Sequence, residues 1–399
     1  MAVRVLHIFS PDYKKRFGGP TFTWKYNFLK WNDPGVEHYV LDTDQQLILE
    51  ANEGFRFEYP DIQENATRWE RAVWIFPLFV SLIKHFGKYD VLHLHVFYWS
   101  SLLIGPWAKW KKIPVLYESV LLDEDTPGGV LKTRFGGLQV RLLKSYRAIL
   151  GISEALAEDY RRHGFPVSQV FALLNSVNDK LFFPARSPEE KQNLREKMDI
   201  PPKAVVLVFV GSVIKRKGVD ILVQAFIEAS SEHPDLHLLI VGPKDGYEQP
   251  GLDEGFVSEL RARLSQKNLA EKVLFTGLVQ DGHRIGEIYR ASDIFVFPSR
   301  REGLPNVVLE AMASELPVVV SQLPGIEKVI QHEQNGILIP IDDVDSLRNA
   351  IVRLSNNLPI AREMGCKAYD HIEKKHSFLA WQNQLIEIYQ SLLLNRKGS

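Results

Sequence analysis

The feature of this sequence that most constrains its fold is an alternation of short apolar runs with amphipathic stretches, which occurs twice along the chain. Runs that are apolar on both faces and separated by helices are typical of a parallel sheet covered on both sides. In the first half, the predicted strands are Val3–Phe9, Val91–Val96, Val115–Glu118, Ala148–Ile152 and Val170–Leu174, and the predicted helices include Thr21–Trp31 and Glu154–His163.

The pattern begins again after a polar, proline-containing stretch, 184–202, in which we expect a linker and a short helix. The strands predicted beyond it are Ala204–Val210, Leu236–Val241, Val273–Phe275, Ile294–Phe297, Pro317–Val320 and Gly336–Ile339. The helices predicted between them are Gly218–Ser230, Gly255–Gln266, Asn306–Ser314 and Asp345–Asn356. We therefore expect two doubly wound α/β domains, with ligands at the carboxyl ends of the strands and in a cleft between the domains.

Composition and charge narrow the class of protein. The 399 residues are enough for two domains, and a formal net charge of −1 gives no support for a nucleic-acid partner. Cys366 is the only cysteine, which excludes a disulfide framework and fits a reducing compartment. The N-terminus does not resemble a signal peptide, and no segment has the ~18 uninterrupted apolar residues of a membrane span. We therefore expect a cytoplasmic protein.

The loop 298–305 follows a predicted strand and precedes an almost entirely apolar helix. Gly303 permits close approach of a ligand to the backbone, and free amides at such a helix start form an anion site. Glu310 lies inside this helix, where an unpaired carboxylate would be strongly unfavourable. Its partner is either a protein cation or a ligand with a vicinal diol such as ribose.

A second loop, Gly211–Gly218, places three consecutive cations, Lys215, Arg216 and Lys217, at a strand's carboxyl end. A charge run is usually solvated surface, but this position favours a phosphate site.

In the first half, Gly18-Gly19-Pro20 follows the first strand and fits either a phosphate loop or an ordinary turn. His93 and His95 share one face of a strand, because side chains alternate with period two. No Cys or carboxylate at suitable spacing completes a ligand set, so no metal is predicted. We interpret His95 as a polar group that reaches into the crevice.

Several of these motifs resemble the family-4, or group 1, retaining glycosyltransferases. The run Glu302–Ala313 is similar to the family's signature, in which two glutamates are separated by seven residues. Further similar motifs are Val273–Gly277, Tyr289–Asp293, Gly325–Glu327, Asn335–Leu338, Asn175–Asn178, Gly18–Pro20 and His93–His95. The resemblance is strong from 205 to 345 and weak from 40 to 90 and from 98 to 145.

The resemblance implies a GT-B fold, in which two Rossmann-like doubly wound domains face each other across a cleft. Residues 1–183 would bind the acceptor, residues 184–376 the nucleotide-sugar donor, and the helix within 377–399 would cross back to the first domain. The implied activity is retaining transfer of a sugar from a nucleoside-diphosphate sugar to a hydroxyl of a glycan or lipid-linked acceptor, in glycan, polysaccharide or glycolipid biosynthesis. The resemblance implies no cofactor and no essential metal.

The same resemblance assigns roles to individual residues. Glu310 would hold the ribose, Glu302 would contact the donor sugar, and Lys217 would contact the diphosphate. The catalytic candidates are His95, Lys217 and Glu302, and the donor-binding candidates are Gly19, Gly211, Lys215, Arg216, Lys217, Gly303, Leu304 and Glu310.

One position departs from the family's pattern. The family usually has an arginine where Ser212 stands, so Lys215 or Arg216 would have to supply the second cation of the diphosphate clamp. Ser212 therefore keeps a non-catalytic GT-B partner subunit open as an alternative function. A nucleotide-sugar epimerase on the same fold is a second alternative. A dinucleotide dehydrogenase would need a Gly-x-Gly-x-x-Gly motif after a strand, which is absent.

Two stretches of the first half, Arg71–Lys88 and Phe97–Pro114, join aromatic and aliphatic residues to lysines. This composition fits interfacial helices that would hold the protein peripherally on an anionic inner leaflet, beside a lipid-linked acceptor. It also fits helices packed on the first sheet with lysines at their ends. We expect Pro106 to break the second of these helices.

Overall fold

The computed structural model of the protein describes residues 2–8, 31, 33–40, 79–80, 82–83, 85–95, 101–249 and 252–394. The chain forms two compact units. The N-terminal unit comprises residues 1–175 and 379–399, and the C-terminal unit comprises residues 176–378. The sequence predicts these divisions after residues 183 and 376, whereas the structure divides the chain after Asn175 and Phe378.

In the N-terminal unit, the described residues form a sheet of six parallel strands. In chain order they are β1 (Val3–Ile8), β2 (Val36–Val40), β3 (Val91–Leu94), β4 (Val115–Ser119), β5 (Ala148–Gly151) and β6 (Val170–Ala172), and their order in the sheet is β2-β1-β3-β4-β5-β6. The described helices of this part are α1 (Ile104–Trp110), α2 (Pro127–Val130), α3 (Gly136–Leu143) and α4 (Glu154–Arg162). The predicted strands are confirmed within a few residues, whereas β2 was not predicted.

The C-terminal unit repeats this architecture with its own six-stranded parallel sheet. Its strands are β7 (Val205–Val210), β8 (Leu236–Val241), β9 (Val273–Gly277), β10 (Ile294–Phe297), β11 (Val318–Ser321) and β12 (Ile337–Ile339), in the order β12-β11-β10-β7-β8-β9. Its described helices are α5 (Pro188–Glu196), α6 (Val219–Glu232), α7 (Glu254–Gln266), α8 (Gly282–Ala291), α9 (Asn306–Ala313), α10 (Val344–Asn356) and α11 (Leu358–Lys375). All six predicted strands and the short helix at 188 are confirmed, but α8 and α11 were not predicted.

Strand order fixes where each unit can bind a ligand. In the C-terminal sheet, β7 and β10 are neighbours, and the chain continues from them toward opposite edges of the sheet. In the N-terminal sheet, β1 and β3 stand in the same relation. The loops that leave such a strand pair diverge and open a crevice at the carboxyl edge. Among the described strands, each unit therefore has one such switch point.

The last described helix, α12 (Phe378–Leu394), belongs to the N-terminal unit although it follows the C-terminal one in sequence. Trp381, Leu385, Ile388 and Leu392 recur at helical spacing, and all four are buried. This return of the chain is the one that the sequence resemblance implied.

Two other expectations can be compared with the structure. Pro106 does not break α1, because it lies in the first turn, where a backbone N–H has no helical partner to lose. The predicted helix Thr21–Trp31 lies outside the described residues, except for Trp31. Among the helices that the structure does describe, none is long and apolar enough to cross a bilayer.

Candidate active site

Two loops meet at the switch point of the C-terminal sheet. The loop 211–218 leaves β7, the loop 298–305 leaves β10, and the backbone N–H of Arg300 donates to the Arg216 carbonyl over 2.9 Å. Gly218 has φ of 70°, and a Cβ there would lie 1.9 Å from the Pro298 carbonyl oxygen. Only glycine permits this approach, so the two loops form one rigid surface.

A cluster of charged side chains lies on this surface. Glu302 Oε1 accepts from Lys217 Nζ over 2.7 Å, from Arg216 Nη1 over 2.9 Å and from the Ser299 hydroxyl over 2.8 Å. The Lys217 and Glu302 side chains are only 16% and 11% exposed. Burial lowers the pKa of Lys217, and the Glu302 carboxylate opposes that effect. One carboxylate thus holds two cations together.

Lys215 does not join this cluster. Its side chain is exposed, and its ammonium lies 5.9 Å from the centre of the Phe256 ring. Ser212, at the position where the family usually has arginine, donates a hydrogen bond from its hydroxyl to Gln249 Oε1 over 2.8 Å. Of the two cations that could replace that arginine, the structure therefore brings Arg216, and not Lys215, beside Lys217.

A second arginine fixes the outer side of the loop. Arg300 forms a two-point ion pair with Asp220 at 2.9 Å and contacts Asp342 over 2.6 Å. Paired hydrogen bonds of this kind are directional, so they hold the loop 298–305 against the start of α6. This role of Arg300 was not predicted from the sequence.

Two backbone amides directly precede α9. No residue in the described ranges accepts a hydrogen bond from the N–H of Gly303 or Leu304, and Pro305 provides no side-chain cap. The next turn of the helix is anchored by Val308 and Leu309, which are fully buried. Rigid amides at a helix start attract anions, and the two nearby cations strengthen that preference.

Glu310 has a neutral partner. Within the described part of the chain no cation pairs with this half-buried carboxylate, and the Tyr289 hydroxyl approaches Glu310 Oε2 to 3.3 Å. Burial raises the pKa of Glu310 to about 7, and the Tyr289 hydrogen bond only partly opposes this. Of the two partners that the sequence left open, the described residues provide no salt bridge, so the ligand is the alternative that remains.

Gly211 begins this site at the end of β7. Its φ of 152° lies in the region that favours glycine, and its carbonyl oxygen would lie 2.2 Å from a Cβ on Gly242. The two glycines therefore let the loops after β7 and β8 pass in contact. Gly19, the corresponding candidate in the N-terminal unit, lies outside the described residues.

His95 lies in a buried cluster at the N-terminal switch point. Its side chain is 3% exposed, Nδ1 lies 2.7 Å from Glu118 Oε2, and Nε2 lies 2.9 Å from His7 Nδ1. His7 Nε2 in turn lies 2.8 Å from His38 Nδ1. His93 is on the same face as His95, with ring centres 4.1 Å apart. The sequence motifs do not indicate His7, His38 and Glu118, which come from three other strands.

Both units match known families. Residues 43–175 match the model of a glycosyl transferase 4-like domain, and residues 204–357 match the model of glycosyl transferases group 1. The chain belongs to the group 1 glycosyltransferases. This glycosyltransferase is 26% identical over 308 residues to an uncharacterized glycosyltransferase of Methanocaldococcus jannaschii, over 76% of this chain and 75% of that one.

Two further proteins are similar to this glycosyltransferase. The lipopolysaccharide core biosynthesis mannosyltransferase LpsB of Rhizobium meliloti is 27% identical over 223 residues, which cover 55% of this chain and 60% of that protein. The crystal structure of Anabaena HepE in complex with UDP and glucose superposes with a TM-score of 0.76 over 98% of this chain and all of HepE, at 18% identity. The likeness to HepE shows the GT-B fold alone.

Proposed function

We propose that this glycosyltransferase moves a sugar from a nucleoside-diphosphate sugar to a hydroxyl acceptor, with retention at the anomeric carbon. The observation that carries the proposal is the arrangement at the C-terminal switch point. The loop after β7 carries two cations, Arg216 and Lys217, and the loop after β10 carries two amides with no acceptor among the described residues. The helix that follows the second loop carries the half-buried carboxylate of Glu310. A nucleoside diphosphate presents the matching groups, a diphosphate and a ribose diol.

The diphosphate is assigned to Lys217, Arg216 and the amides of Gly303 and Leu304. In the free protein, Glu302 neutralises part of the charge of both cations. A bound diphosphate supplies stronger anionic acceptors, so the cations turn to it and Glu302 becomes available to a hydroxyl of the donor sugar. As the anomeric bond breaks, charge develops on the leaving diphosphate, and cations fixed beforehand stabilise it without reorganisation.

The ribose is assigned to Glu310. Both hydroxyls of a vicinal diol donate hydrogen bonds, and an ionised carboxylate accepts two. Burial disfavours the ionised form of Glu310 in the free protein, and the diol compensates for the lost hydration. Tyr289, which hydrogen-bonds the same carboxylate, positions it for this contact.

Retention requires the acceptor oxygen to form its bond on the face from which the diphosphate leaves. In the proposed step, the bond between the anomeric carbon and the phosphate oxygen breaks with its electron pair on the phosphate. The acceptor oxygen then bonds to the anomeric carbon, and its proton passes to that phosphate oxygen. Atoms and charge balance without a covalent intermediate on the protein.

We assign contact with an anionic membrane to an apolar and basic patch of the N-terminal unit. Lys111 Nζ lies 4.0 Å from the centre of the Trp110 ring and 5.3 Å from that of Phe86, so two chain segments join there. Trp110 is 73% exposed and Phe86 47%, and Lys109 and Lys112 are also exposed. Exposed rings with lysines are suited to the headgroup region of an anionic bilayer, where a lipid-linked acceptor would lie.

Sedimentation with liposomes that contain anionic lipid tests this surface. We expect wild-type protein to bind, and the Lys109→Glu, Lys111→Glu and Lys112→Glu triple variant to lose binding, since each basic residue contributes about 1 kcal/mol. The control carries Lys367→Glu, Lys374→Glu and Lys375→Glu, three exposed lysines of the C-terminal unit. Equal binding by all three proteins, or none, would leave a water-soluble acceptor as the better account.

The proposed reaction is tested by assay with a panel of nucleotide sugars and alkyl glycosides, with NMR analysis of the product. The expected result is an acceptor-dependent release of nucleoside diphosphate and a product with the anomeric configuration of the donor. An inverted product would refute retention. Donor binding without turnover would favour a non-catalytic subunit, and conversion of the donor sugar without an acceptor would favour an epimerase.

A further inference from the structure

Three histidine rings converge at the carboxyl edge of the N-terminal sheet. His7 of β1 lies opposite His93 of β3 in the parallel pairing, and His95 follows on the same face. One nitrogen from each of these rings lies within 4.8 Å of the other two. The rings of His7 and His93 are inaccessible to solvent, and the His95 side chain is 3% exposed.

Each ring is also held at its other nitrogen by a different group. His95 Nδ1 lies 2.7 Å from Glu118 Oε2, and His7 Nε2 lies 2.8 Å from His38 Nδ1. His93 Nδ1 lies 2.7 Å from the hydroxyl of Tyr389, on α12, and His93 Nε2 lies 3.4 Å from the same Glu118 oxygen that His95 contacts. Histidines that bind metals nearly always use the second nitrogen in this way, because the bond fixes the tautomer and raises the basicity of the ligand nitrogen.

We propose that His7, His93 and His95 together bind one divalent transition-metal ion, with Zn²⁺ as the natural occupant. Imidazole nitrogens suit Zn²⁺, and three protein ligands leave one tetrahedral position for water or another oxygen. The buried Glu118 carboxylate supplies a negative charge next to the ion. The site ties β1 to β3 and holds His95 in place, and it takes no part in the proposed departure of the diphosphate.

The protons of the cluster are compatible with an ion. Without one, His7 Nδ1 and His95 Nε2 share a hydrogen bond of 2.9 Å. With one, His95 keeps its proton on Nδ1 for Glu118, and His7 carries its proton on Nε2, facing His38. His93 carries its proton on Nδ1, facing the Tyr389 hydroxyl, and directs the lone pair of Nε2 to the ion instead of donating to Glu118.

The first test uses the full-length protein without a histidine tag, stripped with a chelator and titrated with Co²⁺ and Zn²⁺. We expect one equivalent of Co²⁺ to give the visible absorption of a tetrahedral ion, and Zn²⁺ at a hundredfold excess over its Kd to raise the Tm by about 5 °C. Absence of both effects at micromolar metal would overturn the proposal and leave a hydrogen-bonded histidine cluster.

Variants then locate the ion. His7→Gln and His93→Gln should each abolish the Co²⁺ absorption and weaken Zn²⁺ binding at least a hundredfold, while His283→Gln, an exposed histidine of the C-terminal unit, should change neither. If either variant fails to fold, the other variant and the titration of the wild-type protein decide whether the histidines bind the ion. A folded His7→Gln with unchanged stoichiometry would refute the assignment. Nucleotide-sugar binding should survive the chelator, so this test and that of the transferase proposal can fail separately.

Discussion

The two switch points share a topology and differ in their chemistry. At the C-terminal one, cations and amides come from loops beyond β7 and β10 and remain partly exposed. At the N-terminal one, imidazoles come from β1, β2 and β3 or directly after them and are buried. Residues in loops can contact a large, charged ligand that binds and dissociates. Residues inside strands are held in fixed positions and are shielded from solvent. The same sheet edge can therefore serve a diphosphate in one unit and small, buried groups in the other.

The largest effect that this contrast predicts is at Lys217. Lys217→Ala should lower kcat about a thousandfold, because it removes a fixed, partly buried charge from the leaving diphosphate. The measurement is steady-state transfer with the preferred donor. Lys367→Ala, which removes an exposed lysine paired with Glu363, is the matched control and should retain wild-type turnover. Normal turnover of Lys217→Ala would show that the C-terminal loops are not the charged site.

Arg216 and Lys215 should differ although they are adjacent. Arg216→Ala should lower kcat/KM about 10–100-fold, since a charged hydrogen bond contributes about 1.5–3 kcal/mol. Lys215→Ala should change it by less than about threefold, as expected of an exposed charge. Equal losses of kcat/KM in the two variants would mean that both Lys215 and Arg216 contact the donor. The contact between Arg216 and Glu302 would then not identify the second cation of the diphosphate site.

Glu310 should make the C-terminal unit less stable in the absence of ligand at alkaline pH. Its pKa is about 7 in the folded protein, above the ordinary value of 4.5, so its contribution to stability is complete below pH 4.5 and is lost as the pH rises through 7. Glu310→Gln avoids this loss. Denaturant unfolding should show the variant about 1–3 kcal/mol more stable than wild type at pH 8 and no more stable at pH 4.5. A difference independent of pH would refute the burial argument.

The smallest effect is expected at the buried histidine cluster of the N-terminal unit. Tyr389→Phe removes the hydroxyl that lies 2.7 Å from His93 Nδ1, and should destabilise the N-terminal unit by about 1 kcal/mol. Tyr247→Phe, at a residue that is 98% exposed, is the control and should not change the Tm. Donor binding should be unaffected in both. A loss of donor binding in Tyr389→Phe would show that the two switch points are coupled.

The sequence reveals the C-terminal site better than the N-terminal one for a physical reason. Glu302, Gly303 and Glu310 lie in one local motif, so their spacing predicts that they act together. The histidine cluster depends on strand pairing, which joins His7 to His93 and Glu118 to His95 across long stretches of chain. A usable signal existed, because His7 and His93 both lie inside strands that the sequence predicts, Val3–Phe9 and Val91–Val96. No comparable sequence pattern identifies Tyr289 as the partner of Glu310.

The fold shows the same division between local and non-local information. The strands β7 and β10 are recognisable by their uninterrupted hydrophobic runs, and β8, β9 and β11 by runs with a few polar residues or glycine. β2, with the sequence Val-Glu-His-Tyr-Val, is a half-polar strand at the edge of its sheet and lacks that pattern. Arg216, and not Lys215, lies beside Lys217 because the chain forms a short turn at 215–217. The periodicity of apolar residues does not predict the side-chain directions in such a turn.

The central claim is that the loops after β7 and β10, with Glu310, form a nucleotide-sugar site. The most direct test is isothermal titration of a panel of nucleotide sugars into wild-type protein, Glu310→Ala and the Lys367→Ala control. The account predicts that at least one nucleotide sugar binds wild type and the control alike, and that Glu310→Ala, still folded, binds it with a free energy weaker by about 1.5–3 kcal/mol. Unchanged affinity in folded Glu310→Ala, or no binding by any member of the panel, would contradict it.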